Sequence, residues 1–212
     1  MTQVSSQLII IVASWIVYFY IHSFTASTRL KHVNAKQIGL STVHYRLLYV
    51  ILSTVLLLPI VYLIWQDSTP MLWQHEGAVK VILDAIALLA VIGFIVVARS
   101  YNMISFLGLS ADDSKHRFSV SWLHRFVRHP WYFFGLLIIW TRDMSALWLV
   151  SCMCITVYLI VGSRLEDNKL VAEFGDVYRY YQNKIPGLIM MPGRYLSAAD
   201  RQEIERLNTN SD

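Results

Sequence analysis

Arg128-His129-Pro130-Trp131-Tyr132-Phe133-Phe134-Gly135-Leu136-Leu137-Ile138-Ile139-Trp140, then Thr141-Arg142-Asp143, the apolar run Met144 to Gly162 and Ser163-Arg164-Leu165-Glu166-Asp167, reads as a membrane helix hairpin with a polar cluster at its mouth. Pro130 suits the first turn of a helix, where its missing N–H costs nothing, so the first arm starts there. Arg128 and His129 are left at its entrance, beside the positive end of the helix dipole. That arm is short: at about 1.5 Å per residue it covers well under the roughly 30 Å of hydrocarbon. It must tilt, extend beyond its apolar part, or be shielded by protein. Charges and tyrosines beside lipid are costly unless satisfied or used, so the cluster marks a candidate reaction centre.

The rest of the chain has the same character. Of its 212 residues 56% are hydrophobic and only 15% charged, which fits poorly with a soluble fold. Further apolar runs occupy Leu8 to Phe24, Leu47 to Trp65 and Val79 to Ala98. The expectation is an all-α, integral membrane protein with about five transmembrane helices, the fourth short and in a hairpin. Arg29, Lys31, Lys36 and Arg46 follow the first span, and Arg99, Lys115, Arg117, Arg125 and Arg128 follow the third. Arg164, Lys169, Arg179, Lys184, Arg194, Arg201 and Arg206 follow the fifth. By the positive-inside rule these segments, and with them the carboxyl terminus, are expected in the cytoplasm. The net charge of +4 follows from this layout, and basic juxtamembrane segments meet lipid headgroups, so no nucleic acid is called for. Met1 to Gln7 lacks a positive n-region, and the first span is expected to stay in the mature protein. Cys152 and Cys154, two apart on one helix, suit neither a disulfide nor a metal pair.

With no repeat and no flexible linker, residues 7–192 read as one membrane domain and 193–212 as a solvated tail helix that frays. The stretch Arg99 to Val127, with Asp112, Asp113, Ser114 and Lys115 at its middle, reads as a loop carrying an interfacial amphipathic piece, Ser119 to Val127. After the fifth span the helix continues to Phe174, where Gly175 suits its C-cap. Asp176 then caps Val177 to Lys184, ended by Pro186. These pieces would fold over the cytoplasmic mouth as a lid.

Arg164 and Glu166 form the sharpest pair, since both stand where a charge reaches water yet still addresses the bilayer. An isolated charge there simply marks the interface. With Arg128, His129, Tyr178 and Tyr181 expected nearby, an active pocket becomes an equal reading. His22 and Ser23 near the end of the first span read first as a hydrogen-bonded helix end and second as substrate contacts. His44, His75, His116 and His124 show no metal-ligand spacing, so no metal site is expected.

Arg-His-Pro-x-Tyr-x-x-Gly at Arg128 to Gly135, Glu166-Asp167, and Phe-Gly-x-x-Tyr-x-x-Tyr-x-x-x-Ile-Pro at Phe174 to Pro186 together resemble the isoprenylcysteine carboxyl methyltransferase and phospholipid methyltransferase superfamily. His22-Ser23, Ala26-Ser27 and Tyr45-Arg46-Leu47 are similar to the branch holding methanethiol S-methyltransferases and NnrU-type proteins. The stronger part covers Val127 to Pro192. The resemblance implies an S-adenosylmethionine-dependent membrane methyltransferase whose carboxyl-terminal half, 127–192, holds the cofactor. It implies catalytic roles for Arg164 and Glu166 and cofactor contacts for Arg128, His129, Pro130, Tyr132, Gly135, Asp167, Tyr178, Tyr181 and Pro186. Three departures stand out: Ser121-Trp122 where a Gly often precedes the Arg-His-Pro turn, Asp167 where Glu is usual, and no Gly-x-Gly element. The last makes a phospholipid acceptor less favoured.

Methyl transfer from a sulfonium needs alignment more than acid–base help. A carboxylate such as Glu166 can hold the cofactor's amino group, and rings such as Tyr132 or Tyr178 can steady its positive charge. Arg164 or Arg128 suits a carboxylate of cofactor or substrate. The expected acceptor is a small or lipophilic molecule, a thiol or a prenylcysteine-like carboxylate, entering from the lipid bilayer. A non-catalytic NnrU-like accessory protein of a respiratory or denitrification system is the alternative. The absence of an inverted repeat speaks against a transporter. Acceptor identity and oligomeric state stay open.

Overall fold

The computed structural model describes residues 2–27, 30, 39–101, 103–107, 109 and 118–209. Arg29, Lys31, His32 and Lys36, together with the stretch from Asp112 to Arg117, fall outside them. Among the described residues the chain is all-α apart from one short strand pair. In order come α1 (Thr2–Ala26), α2 (Thr42–Trp65), β1 (Met71–Trp73), α3 (Gly77–Arg99), the single turn α4 (Met103–Phe106), a 3-10 turn (Leu123–Arg125), α5 (Pro130–Trp140), β2 (Met144–Ser145), α6 (Ala146–Phe174), α7 (Asp176–Lys184) and α8 (Ala198–Thr209). Four helices, α1, α2, α3 and α6, are long and apolar enough to cross a membrane, and α5 is a shorter apolar helix. Ile9, Ile16, Leu58, Val81, Leu88 and Leu89 are among the many large apolar side chains left exposed. A surface of that kind is suited to lipid, where helices satisfy their own backbone groups.

The helices group into two compact units. The first comprises 1–81, 101–113 and 142–155. Its core is Ile11, Trp15, Ile60 and Leu147, packed with Leu57 and Ile64. Polar groups between α1 and α2 pair with one another: His22 Nδ1 meets Ser53 Oγ at 3.0 Å, Tyr49 Oη meets His22 Nε2 at 2.8 Å, and Tyr45 donates to the Thr25 carbonyl at 2.6 Å. His22 is thus engaged by hydroxyls of the neighbouring helix. Beginning α6 is a polar knot. Asp67 accepts from Thr69 N and Oγ1 at 2.8 and 2.7 Å and from Ser145 Oγ, while Thr69 Oγ1 and Ser145 Oγ accept from the amides of Leu147 and Trp148. First-turn amides have no helical partner, so these hydroxyls cap α6. The antiparallel pairing of Met71 with Ser145 belongs to the same knot and was not expected from the sequence.

The second unit comprises 82–100, 114–141 and 156–212. One cluster joins Ala90 and Val97 of α3 to Leu123 and Phe134, with Trp131 and Met190 against it. Gly93 makes this possible, because a Cβ there would meet the Phe134 ring at 2.4 Å. Another joins Val177, Tyr178, Tyr181 and Ile185 to Leu196 and Ile204. The segment expected as a solvated tail therefore buries two apolar side chains, Leu196 completely. Ser197 and Asp200 form a capping box at the start of α8, with Ser197 N donating to Asp200 Oδ2 at 3.0 Å and Asp200 N to Ser197 Oγ at 3.1 Å.

One expectation needs adjusting, and one segment gains detail. Ser119 to Val127 is an irregular stretch of the loop with one 3-10 turn. Its backbone is satisfied from outside: Leu196 N donates to the Arg125 carbonyl at 2.9 Å, and Tyr181 Oη to the His124 carbonyl at 2.7 Å. Asp176 lies in the first turn of α7 rather than capping it. Gly175, at φ +57°, takes the junction, its amide still bonded to the Val171 carbonyl at 2.9 Å. A positive φ is cheap only for glycine, so the expected break falls there.

Candidate functional site

The site lies within the second unit and is assembled from three segments. Pro130 opens α5, and His129, at φ −117° and ψ 70°, stands at its N-cap without spending its side chain on capping. The turn is pinned from the main chain: Arg128 N donates to the Pro186 carbonyl at 2.9 Å and His129 N to the Gly187 carbonyl at 3.0 Å. Gly187 is needed for this approach, since a Cβ would crowd Arg128 Nη2 at 3.2 Å.

Asp167 is the hub. Arg128 grips it with both arms, Nε to Oδ1 at 3.2 Å and Nη2 to Oδ2 at 2.7 Å. His129 Nε2 meets Oδ1 at 3.0 Å, and Tyr178 donates to the same oxygen at 2.5 Å. The remaining arm of Arg128, Nη1, donates to the carbonyls of Gln182 and Ile185. Those carbonyls lie at the end of α7, where a cation offsets the dipole and fills orphan acceptors. Four of the five N–H donors of Arg128 are thereby spent within the protein. Burying such charges costs several kcal/mol per ion, and only a geometry this well paired offsets it.

Glu166, the next residue, behaves differently. Its Oε2 accepts from Tyr132 Oη at 3.1 Å and lies 3.3 Å from His129 Nδ1. Its side chain is 48% exposed, whereas that of His129 is 4%. Tyr132 stacks on the His129 ring, centroids 5.4 Å apart and planes 14° off parallel. Each ring nitrogen of His129 thus faces a carboxylate. Burial alone would lower its pKa, but hydrogen bonds to Asp167 and Glu166 and their negative charge raise it to about 8. The ring is an imidazolium at neutral pH, donating from both nitrogens. His124 goes the other way: burial, and then repulsion from His129, lower it to about 4 despite Glu166. Burial and donation to Asp167 raise the Tyr178 phenol, which stays protonated.

The residues expected at a site therefore divide. Arg128, His129, Pro130, Tyr132, Glu166, Asp167, Tyr178 and Pro186 come together. Tyr181 is buried nearby but spends its hydroxyl on the His124 carbonyl. Gly135 stands in α5 with nothing within 4 Å of a Cβ built there. Arg164 is exposed on α6, outside this network among the described residues. Gly187, and the carbonyls of Gln182 and Ile185, are structural contributors that the residue pattern did not single out. Backbone acceptors carry no residue-type signal, so only the rule that a buried guanidinium must be satisfied pointed their way.

The arrangement offers one half-exposed carboxylate, pinned through one oxygen and held beside a buried cation and an aromatic ring. Such a group can accept from an ammonium or a hydroxyl of a ligand, while Asp167, its acceptor positions filled, keeps the frame rigid.

No family model matches the chain, and no solved structure matches it. Curated sequences do. The methanethiol S-methyltransferase of Pseudomonas sp. (strain GM41(2012)) is 30% identical over a match covering 66% of this chain and 57% of that protein. Methanethiol S-methyltransferase 2 of Bradyrhizobium diazoefficiens is 29% identical, covering 79% and 67%. The Mycobacterium tuberculosis methanethiol S-methyltransferase is 29% identical, covering 69% and 64%. The match thus spans between 57% and 67% of the length of these relatives. The chain is a distant homologue of the methanethiol S-methyltransferases, a branch of the isoprenylcysteine carboxyl methyltransferase and phospholipid methyltransferase superfamily of membrane enzymes.

Proposed function

We propose that this distant homologue is a membrane-embedded, S-adenosylmethionine-dependent methyltransferase acting on a small thiol, with its site open to the cytoplasm. The observation that carries the reading is the half-exposed Glu166 carboxylate clamped between His129 and Tyr132. Similarity to enzymes named for methanethiol favours a thiol over the prenylcysteine-like carboxylate also considered. The arginines that follow α3 and α6 favour the cytoplasmic side.

The donor set fits the cofactor. S-adenosylmethionine supplies a methyl group on a sulfonium, beside an amino group and ribose hydroxyls that want acceptors. Glu166 has one carboxylate oxygen, Oε1, with no bond to the described residues, and that oxygen is the acceptor offered. Tyr132 and the charged His129 ring hold the carboxylate in one orientation, so little freedom is lost when a ligand binds. Arg164, exposed and outside the network, suits the ligand's carboxylate better than Arg128, four of whose five donors are spent within the fold. Asp167, Tyr178 and Pro186 act as positioning residues.

The test is methyl transfer from labelled S-adenosylmethionine to a panel of small thiols, prenylcysteines and phospholipids, with headspace capture of volatile thioethers. Label in a volatile thioether, lost in Glu166→Gln, is the expected result. Absence of cofactor binding by calorimetry, unchanged by Glu166→Gln, would leave the non-catalytic accessory reading in its place.

A further inference from the structure

The segment leaving α7 carries apolar side chains that its own unit does not cover. Ile189 is 63% exposed, Met191 50% and Tyr195 55%, and Trp122 is 65% exposed in the turn that pairs with this segment. Met190, between the first two, does the opposite and packs against the cluster of Ala90, Val97, Leu123 and Phe134, as Trp131 does. Val97 stands two residues before the end of α3, and Trp131 is the second residue of α5. Met190 therefore packs toward the ends of two apolar helices, and its exposed neighbours flank that level. The Trp122 turn is held beside Tyr195: Leu196 N donates to the Arg125 carbonyl, and Arg125 Nε and Nη2 donate to the Leu196 carbonyl at 3.2 and 3.0 Å.

Four exposed apolar or aromatic groups around one such level would be a liability in water. Tryptophan and tyrosine are the residues that settle at headgroup depth, and the exposed Arg99 and Arg194 supply charge suited to anionic headgroups. We propose that Trp122, Ile189, Met191 and Tyr195 form a foot that rests in the interface of the protein's own membrane, its partner being lipid headgroups and the first acyl carbons. The foot is contiguous with the site. Pro186 and Gly187, whose carbonyls hold the amides of Arg128 and His129, directly precede it in the chain. Seating in lipid thus steadies the turn that presents His129, and the lipid surface becomes a lever on the site. The lipid contact itself does not depend on the methyltransferase reading.

Spin labels test it. With Cys152→Ala and Cys154→Ala as background, labels at Ile189→Cys and Met191→Cys are read in nanodiscs of zwitterionic and anionic lipid, with Arg201→Cys on α8 as the aqueous control. The expected result is an oxygen-over-nickel accessibility ratio several-fold above that of the control. Equal nickel accessibility at all three positions would overturn the proposal. So would dipolar broadening that vanishes on dilution with unlabelled protein, which would assign the patch to a second copy. A second measurement needs no cysteine background: lipids brominated on the upper acyl carbons should quench tryptophan emission, and Trp122→Phe should lower the quenched fraction. An unchanged fraction counts against the foot.

Discussion

Two aspartates organise this molecule, and they do so in opposite ways. Asp67 collects only neutral donors, the amide and hydroxyl of Thr69 and the hydroxyl of Ser145, and the hydroxyls pass their acceptors on to the first amides of α6. Asp167 collects a guanidinium, an imidazolium and a phenol, and beside it stands Glu166 with an oxygen to spare. Both are dense polar knots in an apolar protein. Only the second holds buried opposite charges, and it stands beside a half-exposed carboxylate with an oxygen that no described residue bonds. Density of hydrogen bonds therefore does not mark a site here; unspent bonding capacity held in place by spent capacity does.

The largest effects should separate the two knots. Asp167→Asn strands the buried Arg128 and His129 charges, which costs about 3–5 kcal/mol. Asp67→Asn keeps an acceptor for Thr69 and an amide that Ser145 can accept, so about 1 kcal/mol is expected. Thermal unfolding in matched detergent measures both, and equal losses would erase the distinction. Next comes Glu166→Gln. It should lower methyl transfer or cofactor affinity by roughly ten- to a hundredfold, the worth of a hydrogen bond to a charged group. Because the side chain is half exposed, the melting temperature should move far less than in Asp167→Asn. A variant as unstable as Asp167→Asn would show that Glu166 is part of the frame.

How much of this could be read from the residues follows from the range of the interactions. The start of α5 at Pro130 and the break at Gly175 rest on local φ limits, which a sequence states directly. The four long apolar helices follow from composition in the same way. Arg128 does not: its partners Asp167, Gln182 and Ile185 are 39, 54 and 57 residues away. Nothing local says that a guanidinium grouped with cofactor contacts is consumed by the fold. The course of Ser119 to Val127 within its loop is set over similar distances, since Arg125 and His124 find their backbone partners at Leu196 and Tyr181. Strands of two and three residues are too short for any period to show, so the pairing of Met71 with Ser145 had no signal.

The histidine sharpens the comparison through pH, because the bonds around Asp67 include no imidazole. The pKa of His129 stands at about 8 in the fold against 6.5 for an ordinary histidine. The folded state thus binds the proton more tightly, and the stabilisation is fully present below about pH 6.5. It is lost as pH rises through 8, a total of about 2 kcal/mol. Unfolding followed from pH 6 to 9 should show this slope, and His129→Gln should abolish it while lowering stability at pH 6. If the slope persists in His129→Gln, the titrating group is elsewhere.

The smallest effect concerns α8, which reaches the hub only through packing. Leu196 and Ile204 lie against Val177 and Tyr178, and Tyr178 donates to Asp167, so the capping box of Ser197 and Asp200 acts on the charged knot at one remove. Ser197→Ala should cost about 1 kcal/mol, the usual worth of an N-cap. Its signature is where the loss appears. Hydrogen exchange should speed in α8 and at the start of α7, while the helical amides around Ser53 and Tyr49 in the first unit keep their protection. Exchange that rises equally in both units would mean that α8 supports the whole chain, and that the Asp167 knot has no buttress of its own.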